Sequence, residues 1–369
     1  MSNQEGVARR VIAIAGGAFT GSEAAAMAAR QGALVLVLER GESPYGALEL
    51  IPCWHFDERE TEMQRIDDNL AEPGVVVVRR TALGRDVTPD ALRELGVQAL
   101  LSARGRPAAS AQDGVLDRAA LARWFNHRGD HDYPGPPLHV PDDAAVVGRG
   151  LAAIDCARML AFLRCEAFLE ARGLQTGPVP LHRDGVRRTL AARKLDPEAL
   201  APTRLYVSSP DALLPAWVDD ATRAAVLARL GEDRIELAVG DAAGASSLVV
   251  RVAPAPSSAH DDGLDLSARV PDLLDLERRA DDAPTAALQE RLLRLRCGLE
   301  PLVVPPADAD DYDVVSAAAE ALIAAIAGAL SDAVRGPVEA ALGGEAPSPE
   351  AVAAVTAWAR QREAALTAP

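Results

Sequence analysis

The chain has 369 residues, 49% hydrophobic and 25% charged, which describes a folded globular protein long enough for two domains. A formal net charge of −16 disfavours nucleic acid and anionic membrane as partners, because both are bound through positive surface. The four cysteines form no CxxC pair and no apolar run approaches membrane-spanning length, which excludes a disulfide framework, a metal–thiolate cluster and an integral membrane protein.

The opening MSNQEGVARR carries no hydrophobic leader, so a cytoplasmic protein is expected. Val11 to Ala15 reads as a buried strand, followed by the turn Gly16-Gly17-Ala18-Phe19-Thr20-Gly21 and a small-residue helix from Ser22 to Arg30. Ala33 to Leu38 is a second strand, ending in Glu39. Continuous apolar strands of this kind predict a parallel sheet covered on both faces. Val75 to Val78 and Ala99 to Ser102 are further strands, and Tyr133-Pro134-Gly135-Pro136-Pro137 marks a linker. The pattern then restarts with the strand Ala144 to Val147, the turn Gly148-Arg149-Gly150 and a helix from Leu151 to Leu169. From about Pro178 to Arg296 the strand signals weaken, and the alanine-rich stretches Val314 to Leu330 and Pro349 to Leu366 read as helices.

The first turn spells G-x-A-x-x-G through Gly16, Ala18 and Gly21, with Gly17 between the first two. In a dinucleotide fold the first glycine makes the tight turn, the second admits the pyrophosphate, and the third lets helix pack on strand. Glu39, at the end of the next strand, is placed to accept hydrogen bonds from ribose hydroxyls. Ala18 departs from the pattern, and its methyl group is expected to crowd the pyrophosphate. The second turn spells G-x-G-x-x-A through Gly148, Gly150 and Ala153, with Asp155 and Arg158 further along the helix. Two such starts predict an α/β fold of doubly wound parallel sheets, in two interleaved Rossmann-like dinucleotide-binding modules.

VVGRGLAAIDCARML, preceded by RWFN at Arg123 to Asn126, is similar to the adrenodoxin-reductase-like and glutamate-synthase-small-subunit-like flavoproteins. Val11 to Pro52 resembles their flavin-binding start, including a P-x-G-x-L loop at Pro44, Gly46 and Leu48, and Arg65-Ile66-Asp67 fits the helix after it. The likeness covers roughly the first 165 residues. It implies an FAD module interrupted by a smaller NAD(P)H module: residues 1–125, the insertion 126–296, and a return over 297–369. It also implies hydride transfer from nicotinamide to flavin and onward, with Gly105 as the surviving glycine of the segment that closes the first flavin lobe.

Three features of these relatives are altered. Ser102-Ala103-Arg104-Gly105 replaces an Ala-Thr-Gly segment, and Ser208-Ser209-Pro210 follows Leu205-Tyr206-Val207 where relatives carry paired arginines for the 2′-phosphate. A late G-W-x-x-x-G-P-x-G-x-I-G-T-N segment is missing; Gly336-Pro337, the nearest Gly-Pro, is expected between helices. FAD is therefore expected to be loosely bound or absent, in a degenerate cofactor site.

His55 is the candidate proton donor. His127, His131 and His139 cluster with Asp130 and Asp132, but in a Pro/Gly loop without helical spacing, and no metal is expected. Asp308, Asp310 and Asp311 read as a solvated acid run, and Cys53 has no positioned second cysteine for redox exchange. Two functions follow. One is an FAD-dependent, NAD(P)H-linked oxidoreductase acting on a small molecule or a separate electron-transfer partner. The other is a cofactor-depleted scaffold, serving as a cyclase or isomerase of secondary metabolism or as a subunit of an oligomer or hetero-complex.

Overall fold

The computed structural model describes residues 10–46, 48–103, 115–128, 138, 140–240, 246, 248–252, 264–265, 283–297, 299 and 311–367. In chain order the first unit supplies β1 (Val11–Ala15), α1 (Phe19–Arg30), β2 (Leu34–Leu38), α2 (Phe56–Leu70), β3 (Val75–Val78), α3 (Pro89–Glu94) and β4 (Ala99–Ser102). There follow β5 (Val115–Asp117), α4 (Arg118–His127), β6 (Ala145–Val147), α5 (Gly150–Glu170), α6 (Pro178–Asp184), α7 (Val186–Ala192), β7 (Thr203–Val207), α8 (Asp220–Glu232), β8 (Ile235–Val239) and β9 (Val249–Arg251). The chain closes with β10 (Leu264–Asp265), α9 (Ala283–Arg296), α10 (Asp311–Leu342) and α11 (Pro349–Thr367).

The strands form two sheets of the same plan, ordered β10-β4-β1-β2-β3 and β5-β9-β6-β7-β8. Every pairing between them is parallel, as in Ile12 opposite both Val35 and Ala99, so the chain has the doubly wound α/β architecture read from its sequence. In each sheet the strand order reverses beside the strand that feeds a glycine turn, β1 or β6. That reversal opens a crevice at the carboxyl edge of a parallel sheet. Val115–Asp117 pairs in the second sheet and Leu264–Asp265 returns to the first, so the chain changes sheets between 102 and 115 and again between 251 and 264.

β1 is apolar at every position because both of its faces are covered. Ile12 and Ile14 pack with Ala24, Ala25 and Ala28 of α1 and Val334 and Val338 of α10. Val11, Ala13 and Ala15 point the other way, to Leu92 of α3 and Val355 and Ala359 of α11. A larger core joins Phe19, Leu48, Trp54 and Ile66 of the first unit, through α5, to Leu205, Val250, Leu293 and Leu330.

Two details differ from expectation. The weak region after Pro178 contains β8 and β9, which the polar residues Glu236 and Arg251 and the short length of β9 obscured. Gly336-Pro337 lies inside α10 rather than between helices. The helix accommodates the missing N–H because it is packed against α1 on that stretch, where tertiary burial outweighs local propensity.

Candidate functional site

The first turn has the geometry of a phosphate cradle. Gly16 has φ +97°, a conformation that side chains rarely adopt. A Cβ on Gly21 would stand 1.8 Å from the carbonyl oxygen of Gly16, so only glycine lets α1 approach this closely. Ala18 is the N-cap residue of α1 at φ −72° and ψ −159°, ordinary for alanine, with no capping side chain and no acid in the first helical turn. The amides at this end, with the helix dipole behind them, suit an anion. Glu39 lies beside the turn: its Oε2 accepts from Gly17 N at 3.1 Å and its Oε1 from Gly41 N at 2.8 Å. Each oxygen retains a lone pair for a hydroxyl group.

Beyond Glu39 the chain passes Pro44 and exposed Gly46 to Leu48, which is 1% exposed and part of the joint core rather than open to a ligand. The RWFN segment fixes this loop. Asn126 Nδ2 donates to the carbonyls of Glu49 and Ile51, both at 3.0 Å, and His127 Nε2 bonds Glu49 at 2.7 Å. Nearby, Glu42, Ser43, Pro44, Tyr45, Val77 and Arg79 line an open cleft of about 430 Å³ at the sheet edge.

The second turn is built differently. A Cβ on Gly148 would meet Val252 Cβ at 2.7 Å, whereas Gly150, at φ +73°, has nothing within 4 Å of that position. Gly150 N donates to the carbonyl of Leu213 at 2.7 Å, so the segment after β7 folds across the start of α5. Ala153 is fully buried under the turn. Ser208 and Ser209 stand at the end of β7, and the nearby Arg223 is turned to the carbonyls of Asp211 and Pro215, at 3.2 and 3.1 Å.

His55 is enclosed where the two units meet. It is 8% exposed, with its ring 4.9 Å from that of His182, while Trp54 stacks on His182 at 5.8 Å. Burial, with Arg296 and Arg158 nearby and Glu58 opposing, lowers the His55 pKa to about 3, and burial also holds His182 well below its usual value. Both rings are therefore neutral at pH 7, and His55 holds no charged proton to donate.

Around them sit buried groups that sequence reading passed over. Asp155 is 1% exposed with neither carboxylate oxygen hydrogen-bonded, and burial raises its pKa to about 6 against the pull of Arg118, Arg296 and Arg158. Trp54 Nε1, His55 Nε2, Glu58 Oε2, Arg158 Nη2, His182 Nδ1 and Arg296 Nε also lack hydrogen-bond partners. Asp155 and Arg158 were visible as helix residues, but Glu58, His182 and Arg296 come from distant segments with no shared motif.

The late glycine segment expected from the resemblance is absent from the sequence, and α10 lies alongside α1. Ser331 bonds Glu23 in α1, and Arg10 Nε donates to the carbonyl of Ala341 at 3.2 Å, so α10 runs alongside α1 toward the amino edge of the sheet. The helix already extends back to Asp311. It therefore passes the start of α1 without ending there, and offers no helix N-terminus at that point.

Gly105, Arg104, Asp130, His131, Asp132, His139, Asp308 and Asp310 lie outside the described residues. Among the described residues no group of three or more metal-ligating side chains occurs, the four cysteines are free, and no helix is long and apolar enough to cross a membrane.

No protein-family model matches the chain, and no curated protein matches it either. Among solved structures it is similar to Mycobacterium tuberculosis FprA, an oxidoreductase, in complex with NADPH, at 16% identity and a TM-score of 0.49 over 96% of this chain and 90% of that one. It is also similar to the flavoprotein disulfide reductase RclA from Escherichia coli, at 10% identity and a TM-score of 0.41 over 77% and 70% of the two chains. A third is Bacillus anthracis CoADR-RHD, at 12% identity and 0.38 over 66% and 43%. At these identities and scores none carries an argument about activity; the fold class rests on the strand order.

Proposed function

We propose that this chain is a flavin-dependent oxidoreductase that holds the pyrophosphate of FAD at Gly16 to Gly21 and its ribose at Glu39. In this reading a reduced nicotinamide dinucleotide occupies Gly148 to Ala153, and the electrons pass to a small molecule or a separate protein. The supporting observation is the first turn, where a side chain on Gly21 would strike Gly16 and uncapped helix amides stand beside the Glu39 carboxylate. A bound flavin supplies the redox chemistry; the chain's residues bind and orient it and exclude water around it. The division into residues 1–125, 126–296 and 297–369 belongs to the same proposal.

The absorption spectrum of the purified protein, recorded before and after adding FAD, tests this. Partial yellow occupancy that rises on addition is the expected outcome, because the uninterrupted α10 removes a grip on the ring. A second reading, the repurposed scaffold, is favoured by the enclosure of His55 and Trp54, at 8% and 6% exposure, which leaves neither ring open to a bound ligand. Absence of flavin uptake even at high concentration would overturn the flavin reading and favour the scaffold instead.

A further inference from the structure

The last residue of α9, Arg296, lies at the junction of the two units and is 3% exposed. Its Nη2 donates to Glu58 Oε1 on α2 at 2.7 Å. Its carbonyl accepts from Arg158 Nη1 on α5 at 3.2 Å. Arg158 Nε holds Asp233 Oδ2 at 2.8 Å just beyond α8, and Arg229 Nε reaches the same oxygen at 3.3 Å. Since α2 follows a strand of the first sheet and α5 and α8 pack on the second, this buried chain of bonds crosses the junction at one residue. Burial pushes the Glu58 carboxyl up, yet the charge and hydrogen bond of Arg296 outweigh it and hold Glu58 below its usual range, so the pair is ionised.

We propose that Arg296 is a positioning residue whose side chain and carbonyl together fix how the two sheet units are placed relative to one another. A buried ion pair adds little net stability compared with apolar residues of similar volume. What it adds is direction, because a buried charge-assisted hydrogen bond forms only where donor and acceptor are aligned, whereas apolar faces slide past one another. The junction also holds the unpartnered Arg296 Nε, Arg158 Nη2 and Glu58 Oε2, so its polar groups are not there only to satisfy each other. The functional meaning rests on the flavin-linked reading, in which this placement sets the spacing between the two cofactor turns; the placement itself needs no cofactor.

The test is a distance measurement by pulsed electron resonance between nitroxides at Glu94→Cys and Glu170→Cys, both exposed and one on each unit. Cys53, the half-buried native thiol, is replaced by serine. In the double variant Glu58→Leu/Arg296→Met, the distribution is expected to shift or at least double in width, while far-UV dichroism stays native. Arg296→Lys keeps the charge but replaces the planar guanidinium by a freely rotating ammonium; it should show the same change to a smaller degree, and it decides the matter if the double variant does not fold. A distribution identical to the parent's in the folded variants overturns the proposal. Flavin uptake measured on the same samples tests the functional reading separately, since the spin distance is obtained without FAD.

Discussion

The two sheet units share a strand plan but not a turn. In the first, Gly16 sits at a positive φ, a Cβ on Gly21 would strike the Gly16 carbonyl, and the helix end carries no side-chain cap. In the second, Gly150 faces open space, its N–H is engaged by the Leu213 carbonyl, and alanine replaces the third glycine. The lesson is that a glycine pattern reports backbone geometry first. Whether a ligand uses that geometry depends on which amides remain available and on what stands at the neighbouring strand end.

The largest expected effect lies where the two units meet. His55 titrates at about 3 in the fold against 6.5 ordinarily, and His182 is lowered as well. The unfolded chain therefore takes up these protons first, so the stability tied to neutral rings is complete above 6.5 and is lost as pH falls toward 3. By the usual conversion His55 contributes at most about 5 kcal/mol to that loss. Asp155 acts in the opposite sense: raised to about 6 from 3.8, it regains stability as pH falls between those values. Urea unfolding at stepped pH should show a steep acid loss that His55→Gln flattens and Asp155→Asn steepens. An acid limb untouched by His55→Gln would remove the buried neutral ring from the account.

The two turns are separated next by matched substitutions. Gly21→Ala forces a methyl group into the Gly16 carbonyl and should cost about 3 kcal/mol or more. Gly150→Ala meets nothing and should cost only the left-handed backbone penalty, about 1 kcal/mol. Equal shifts in the urea midpoint would erase the distinction between the turns.

A smaller effect concerns the nucleotide. Ser208 and Ser209 offer no positive charge to a 2′-phosphate, so calorimetric titration should give a preference for NADPH over NADH below about 1.4 kcal/mol, or tenfold. The smallest effect concerns Ala18, whose backbone is unstrained as alanine. Ala18→Gly should leave stability nearly unchanged and tighten FAD a few-fold, read by flavin fluorescence titration. Unchanged affinity would mean that the methyl group does not touch the pyrophosphate.

The sequence by itself determined the parallel sheets, both glycine turns and the acid at the end of β2, because each is written in adjacent residues. Strands such as VIAIA are apolar on both faces only when both are covered, and a turn that brings a helix onto its own strand must have glycine at the contact. The segment Arg123 to Asn126 was legible as a motif, but its role was not, since Asn126 acts on carbonyls more than seventy positions away. Only the tertiary structure decided that His55 is enclosed and neutral, that α10 runs past the start of α1 as one helix, and that Glu58, Asp155, Arg158, His182 and Arg296 share one buried place. Their protonation and pairing depend on desolvation and on charges brought together from segments far apart in the chain, and no local pattern of residues encodes that environment.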